Sequence, residues 1–210
     1  MGSTAEIEGV QFEWFGECAV RVQAGATVVY VDPHPARRLD GCARADLVLI
    51  THAHPRHLDP LALRAVLSDG TAVVANLHAA GRARAAAPRV VKLQEGQRTT
   101  VNGVEVRAVP GYNHIHPRGF NTGFVFRLGG LLVYHAGDTA LVPEMAALRD
   151  IDVALVPIGG AHTMGPSEAA AAVGVIQPRW AIPMACGSAT RDHAERFRRL
   201  VGAAARVVVL

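Results

Sequence analysis

Cysteine is scarce in this 210-residue chain, and that scarcity excludes whole classes of protein. Cys18, Cys42 and Cys186 make neither an even set nor a C-x-x-C pair, so neither a disulfide framework nor a zinc ribbon is expected, and reduced thiols are. Long apolar runs are also missing: no segment reaches the ~18 to 20 apolar residues that cross a bilayer. The stretch from Met1 to Glu8 has no basic patch ahead of an apolar run, so no secretory leader is expected, and the reading is a cytoplasmic protein without a membrane partner. Aromatic residues are few, 5% of the chain, and are not interleaved with the basic ones. The net charge of +3 is carried mostly by arginine and spread along the sequence. Its one cluster, Arg191, Arg196, Arg198 and Arg199, falls on a helical pattern with an apolar face of Ala194, Phe197, Leu200, Val201 and Ala204. That pattern is a solvated outer face, so no nucleic-acid partner is expected.

What the chain does have is core material, with half of its residues hydrophobic and 19% charged. One domain over residues 1–210 is expected, with 1–8 loose. Short β-branched runs at Gln11 to Phe15, Cys18 to Gln23, Thr27 to Asp32 and Asp46 to Thr51 read as strands. Helical patterns then alternate with strands. Asp59 and Asn76 stand as N-caps of two helices, and further helices are expected at Leu141 to Leu148, at Pro166 to Ile176 and near the end. A faint duplication is visible, because each half offers a strand ending in aspartate (Asp32, Asp138) followed by a fully apolar strand ending in a polar loop. Strands apolar on both faces need cover on both sides. Two mixed β-sheets face to face with helices outside supply it, and put both sets of strand ends at one rim.

The chemistry is expected at that rim. Thr51-His-Ala-His-Pro-Arg-His57 follows an apolar strand directly, and His52 and His54, two residues apart, point the same way in extended chain and can share a cation. Tyr112-Asn-His-Ile-His-Pro-Arg118 is the second histidine-rich stretch, and Tyr134-His-Ala-Gly-Asp-Thr139 the third. Asp138 follows a glycine at a strand end, where the backbone can turn sharply and aim a carboxylate at a metal. Imidazoles with one carboxylate suit zinc first, with iron or manganese as alternatives.

These segments, together with Trp14-Phe-Gly16, Val31-Asp-Pro33, Ala108-Val-Pro-Gly-Tyr-Asn113, Pro157-Ile-Gly-Gly160, Thr163-Met-Gly165 and Ile182-Pro-Met184, resemble the metallo-β-lactamase fold superfamily over nearly the whole chain. Within it they look most like the branch of small metal-dependent hydrolases around L-ascorbate-6-phosphate lactonase. The resemblance implies an α/β protein, an αββα sandwich with its metal site at one edge. It implies a first metal on His52, His54 and a loop histidine, with Asp138 bridging. His116 is favoured for the loop position and His114 is the fallback, since Asn113 stands where many relatives have histidine. It also implies Asp32 as the group behind a metal-bound histidine, against the plainer reading of a turn aspartate before Pro33.

The pattern breaks at the second metal. The family motif reads His-x-His-x-Asp-His, but here the aspartate position holds Arg56 and a later histidine position holds Ala185, while Glu17 stands where relatives commonly have histidine. An arginine cannot serve as a ligand. Arg56 is therefore expected either to pair with Asp138 or to hold an anionic group on the substrate, with His57 and Asp138 as further catalytic candidates. The expectation is a one-metal hydrolase of a small anionic molecule: a lactone, ester, amide or phosphodiester. Competing readings are a metal-free binding or regulatory derivative of the fold, and a biosynthetic enzyme catalysing a non-hydrolytic step. A homo-oligomer is compatible with all three.

Overall fold

The computed structural model describes residues 3–35, 39–184 and 191–210. Within them the chain lays down two seven-stranded sheets in sequence order. The first runs β1 (Ser3–Ile7), β2 (Val10–Gly16), β3 (Ala19–Ala24), β4 (Thr27–Val31), β5 (Leu47–Ile50), β6 (Ala72–Ala75), β7 (Val90–Lys92). The second holds β8 (Arg98–Val101), β9 (Val104–Gly111), β10 (Asn121–Leu128), β11 (Leu131–His135), β12 (Val153–Pro157), β13 (Trp180–Met184) and β14 (Arg206–Val207). In both, the first four strands pair antiparallel and the last four parallel.

Side-chain alternation fixes the layering. On β5, Leu47 and Leu49 face the second sheet and join Phe12, Val22, Phe124, Phe126 and Val133 in the central core. Val48 and Ile50 point the other way, into a cluster with Tyr30, Leu63 and Ala79. The latter two belong to α1 (Pro60–Val66) and α2 (Leu77–Ala83), which cover the first sheet. On β12, Leu155 likewise faces inward while Ala154 and Val156 meet α3 (Pro166–Ile176) and α4 (Arg191–Val201). Strands that are apolar on both faces are thus sandwiched on both, which is the αββα arrangement expected. Asp59 and Asn76 cap α1 and α2 by accepting from Leu61 N and Ala79 N. No helix among the described residues is long and apolar enough to cross a membrane.

Four expectations need correction. Ser3–Ile7 is not loose but an edge strand paired from Ser3↔Trp14 to Ile7↔Val10. Only Ile7 of its side chains is buried, so ladder bonds rather than apolar pattern hold it, and composition could not show that. The helix expected at Leu141 to Leu148 is a single 3-10 turn, Pro143–Ala147. On α4 the apolar face is narrower than its sequence suggests: Phe197 and Val201 are buried, whereas Leu200 is half exposed. Lastly, Cys18 is held in a disulfide, while Cys42 is free. An odd cysteine count argues against a framework but says nothing about one bond closed in three dimensions. Ala185, where the resemblance implies a histidine in relatives, and Cys186 lie outside the described residues.

Because α4 is anchored by so few side chains, Phe197→Ala should cost about 3–5 kcal/mol, the usual range for emptying a fully buried aromatic site. Urea denaturation should show the lowered midpoint, and Leu200→Ala should move it far less.

Candidate metal centre

The rim of the parallel strands carries the site, and a buried carboxylate organises it. Asp32 leaves β4 with a left-handed backbone (φ 47°) and is fully buried. Its Oδ1 accepts from Thr51 N (2.8 Å), and its Oδ2 accepts from Thr51 Oγ1 (2.6 Å) and from His57 Nδ1 (2.7 Å). Thr51 has one hydroxyl proton, and the carboxylate takes it. The same oxygen lies 3.0 Å from His52 Nδ1, so it can only accept there, and His52 must carry its proton on Nδ1. The lone pair is thereby forced onto His52 Nε2. That atom is buried and has no hydrogen-bond partner among the described residues.

Two more imidazoles converge on it. His52, His54 and His116 each place one ligand nitrogen so that all three lie within 4.8 Å of one another. His54 Nδ1 and His116 Nε2 are 3.1 Å apart. Two nitrogens bound at about 2.0–2.1 Å to one tetrahedral ion stand ~3.3 Å apart, so the spacing fits a shared cation. The three rings are also kept neutral. Burial first, then the proximity of His57, His116 and His54, pushes His52 far below the ordinary histidine value; His54 and His116 are also lowered, burial again being the first cause. A buried lone pair without a donor costs about 1–3 kcal/mol, and a divalent cation is the group that would satisfy it. By this test the donor set fits a metal.

His116 reaches the group through a loop that Asn113 holds. The Asn113 Oδ1 accepts from Ile115 N and His116 N, and its amide donates to the carbonyls of Asp138 and His162. Asn113 is a strut. His114 stands outside the three-histidine group, with its ring 5.6 Å from that of His162. Phe120 lies parallel to His116 (3° between planes) and packs on His52, His54 and His78, walling one side.

Asp138 belongs to a neighbouring group with Cys18 and His57. The turn that aims it needs glycine. Gly137 has φ 64°, and a Cβ there would come within 2.7 Å of Asn121 Oδ1 and 3.1 Å of Thr51. His57 spans two carboxylates, with Nδ1 on Asp32 and Nε2 3.3 Å from Asp138 Oδ2. Burial opposes its charge, but the Asp32 and Asp138 carboxylates prevail and push its pKa up to about 10. Asp138 is correspondingly held below the usual carboxylate range by His57, against its own burial. Arg56 does not pair with Asp138: it turns outward to Glu17 Oε1 at 2.9 Å, with its side chain 63% exposed. His135, fully buried, donates from Nε2 to Cys18 O and accepts from Gly137 N at Nδ1, tying the β2–β3 tip to the Asp138 turn.

Sequence reading missed Thr51, Phe120, Cys18 and the doubling of Asp32. Only Thr51, a hydroxyl directly before the first histidine, left a signal that could have been followed.

Comparison with known proteins agrees with this geometry. Residues 11–185 match the family model of the beta-lactamase superfamily domain. A UPF0173 metal-dependent hydrolase of Thermococcus kodakarensis is 34% identical over 218 residues, covering 96% of each chain. The crystal structure of a Parabacteroides distasonis protein superposes with a TM-score of 0.86 at 26% identity, over 100% of this chain and 97% of that one. Igni18, a metallo hydrolase of Ignicoccus hospitalis, does so with 0.79 at 26% identity, over 96% and 94%.

The Asp32–His57 pair gives a prediction with a defined sign. A histidine whose folded pKa is raised lends stability that is full below its unfolded value of ~6.5 and is lost as pH rises toward the folded one. In EDTA-treated protein, Asp32→Ala should therefore cost about 3–5 kcal/mol near neutrality, the range for breaking a buried pair. The gap to wild type should narrow as pH approaches about 10. Urea titrations across that window measure both.

Proposed function

We propose, for a chain that belongs to the metallo-β-lactamase superfamily and within it to the UPF0173 metal-dependent hydrolases, hydrolysis of a small anionic substrate with one divalent cation held by His52, His54 and His116. The observation that carries this reading is the buried His52 Nε2, without a hydrogen-bond partner among the described residues and grouped with the ligand nitrogens of His54 and His116. Three imidazoles suit zinc best among the common cations. When bound, such a cation acts as a Lewis acid on a carbonyl or phosphoryl oxygen and as a source of hydroxide near neutral pH.

The protein groups divide the remaining work. Thr51 fixes the His52 tautomer and ring direction, as an orienting partner behind a metal-bound histidine does. Asp138, ionised and facing the three-histidine group, accepts a proton from the attacking water; His57, bonded to it through Nε2, holds that carboxylate ready and can return the proton to a leaving group. Phe120 keeps bulk water off one flank. Arg56, exposed at the rim and paired with Glu17, exchanges that partner for an anionic group on the substrate. Lactone, ester, amide and phosphodiester bonds all satisfy this arrangement.

Elemental analysis of zinc-reconstituted protein should give about one ion per chain, and His52→Ala should remove it. Thr51→Val keeps all three ligands and should weaken zinc binding about 10–100-fold, read by chelator competition. Against a panel of the four substrate classes, Arg56→Ala should raise KM for anionic members and leave neutral ones unchanged. Protein that stays metal-free after reconstitution with zinc, iron and manganese, and whose thermal midpoint ignores all three, would end this reading in favour of a binding derivative of the fold.

A further inference from the structure

The apolar cover over the second sheet ends short of the sheet's edge. Helices α3 and α4 pack on Ala154, Val156 and Ala181, and the turn Pro143–Ala147 carries the cover as far as Val125 and Leu132. Beyond that line Arg98 on β8, Arg107 on β9 and Arg127 on β10 occupy the outer face, since their strand neighbours Val106 and Phe126 face the central core. Together with Arg149, and with Glu105 and Asp150, they line a cavity of about 370 Å³ floored by Val125 and Leu132. The metal centre is remote from it. On β10 the rim end is Asn121, which accepts from Asp138 N, and Arg127 lies six residues further on, about 20 Å along an extended strand.

Strand register puts like charges together there. Arg98 stands directly opposite Arg107, whose partner on the other side is the uncharged Val125. Directly opposed like charges on an antiparallel pair are destabilising. Among the described residues none of the four arginines forms an ion pair. Arg127 donates to Gly130 O, and Arg149 to Ala146 O and Leu148 O, and these main-chain oxygens leave the charges in place. Glu105 and Asp150 set two negative charges against four positive ones. The excess sits in a concave surface, whose low-dielectric walls concentrate its field.

We propose that this cavity binds a small phosphate-bearing anion of two or more charges, such as pyrophosphate or an aliphatic phosphate ester. A guanidinium presents paired N–H donors that match two phosphate oxygens, so a phosphate group between Arg98 and Arg107 converts their mutual repulsion into attraction to one centre. The apolar floor suits an aliphatic portion of the ligand. The volume lies at the small end of the roughly 300–1,000 Å³ of ligand pockets, and among the described residues no aromatic side chain lines it, so it offers no stacking platform for a nucleic acid. An arginine on the edge strand also discourages pairing with another molecule's strand, but that service needs one charge and not four around a common space.

This site goes beyond the function proposed above and does not depend on it. Pyrophosphate is titrated calorimetrically into full-length wild-type, His52→Ala, Arg98→Gln and Arg107→Gln protein, at an ionic strength held constant with sodium chloride. Wild type and His52→Ala should both bind about one equivalent, because the metal centre takes no part. Each arginine substitution removes charge-assisted bonds and should weaken binding about tenfold or more. Arg98→Gln, at an exposed position, should also raise the thermal midpoint of the anion-free protein by relieving the opposed pair, and pyrophosphate should raise the midpoint of wild type but not of this variant. Absence of saturable binding to wild type, binding that survives both arginine substitutions, or an anion-free midpoint lowered by Arg98→Gln would each overturn the proposal. Binding lost in His52→Ala but kept in Arg107→Gln would place the anion at the metal centre, overturning this site while leaving the hydrolase reading intact.

Discussion

One buried carboxylate carries the site. Asp32 accepts three hydrogen bonds, two from Thr51 and one from His57, and each sets something different. The Thr51 backbone bond ties the end of β5 to the end of β4. The Thr51 hydroxyl bond consumes the only proton that could have gone to His52, and so decides which His52 nitrogen is left bare. The His57 bond makes that ring a cation and thereby sets the charge of Asp138. A fully buried carboxylate is costly unless every lone pair is used, and here the return on that cost is order in two rings and a second carboxylate.

The two sheets explain why such a carboxylate sits where it does. Each sheet is four antiparallel strands followed by parallel ones, so β4 corresponds to β11 and β5 to β12. Asp32 follows β4 and Asp138 comes after β11, at matching points of the two halves. The crossover from antiparallel to parallel pairing opens a crevice at the strand ends, and facing sheets bring their two crevices together. The halves then diverged in use: one aspartate is sealed in and orients, the other is half-buried and open to the rim.

Much of this was legible in the chain, for identifiable reasons. Fully apolar β5 and β12 announced cover on both faces, and the two-residue spacing of His52 and His54 announced a shared direction; both are consequences of local backbone period. Capping by Asp59 and Asn76 was equally local. What stayed hidden depends on distant partners. Cys18 meets Asp138 across 120 positions, Phe120 packs on the rings of His52 and His54 from a distant segment, and Ser3–Ile7 is a strand only because β2 offers it an edge. The partner of Arg56 was equally hidden: Glu17 is 39 residues away.

The Arg56–Glu17 pair bears on how Asp138 is neutralised. A guanidinium at the centre would put a permanent charge against Asp138 and fix it there. The chain instead turns the guanidinium out to Glu17 and leaves Asp138 to His57. The distinction matters because an imidazolium can give up its proton to an arriving cation and an arginine cannot. A carboxylate neutralised by His57 can therefore be freed for another partner. A site neutralised by Arg56 would have been closed for good.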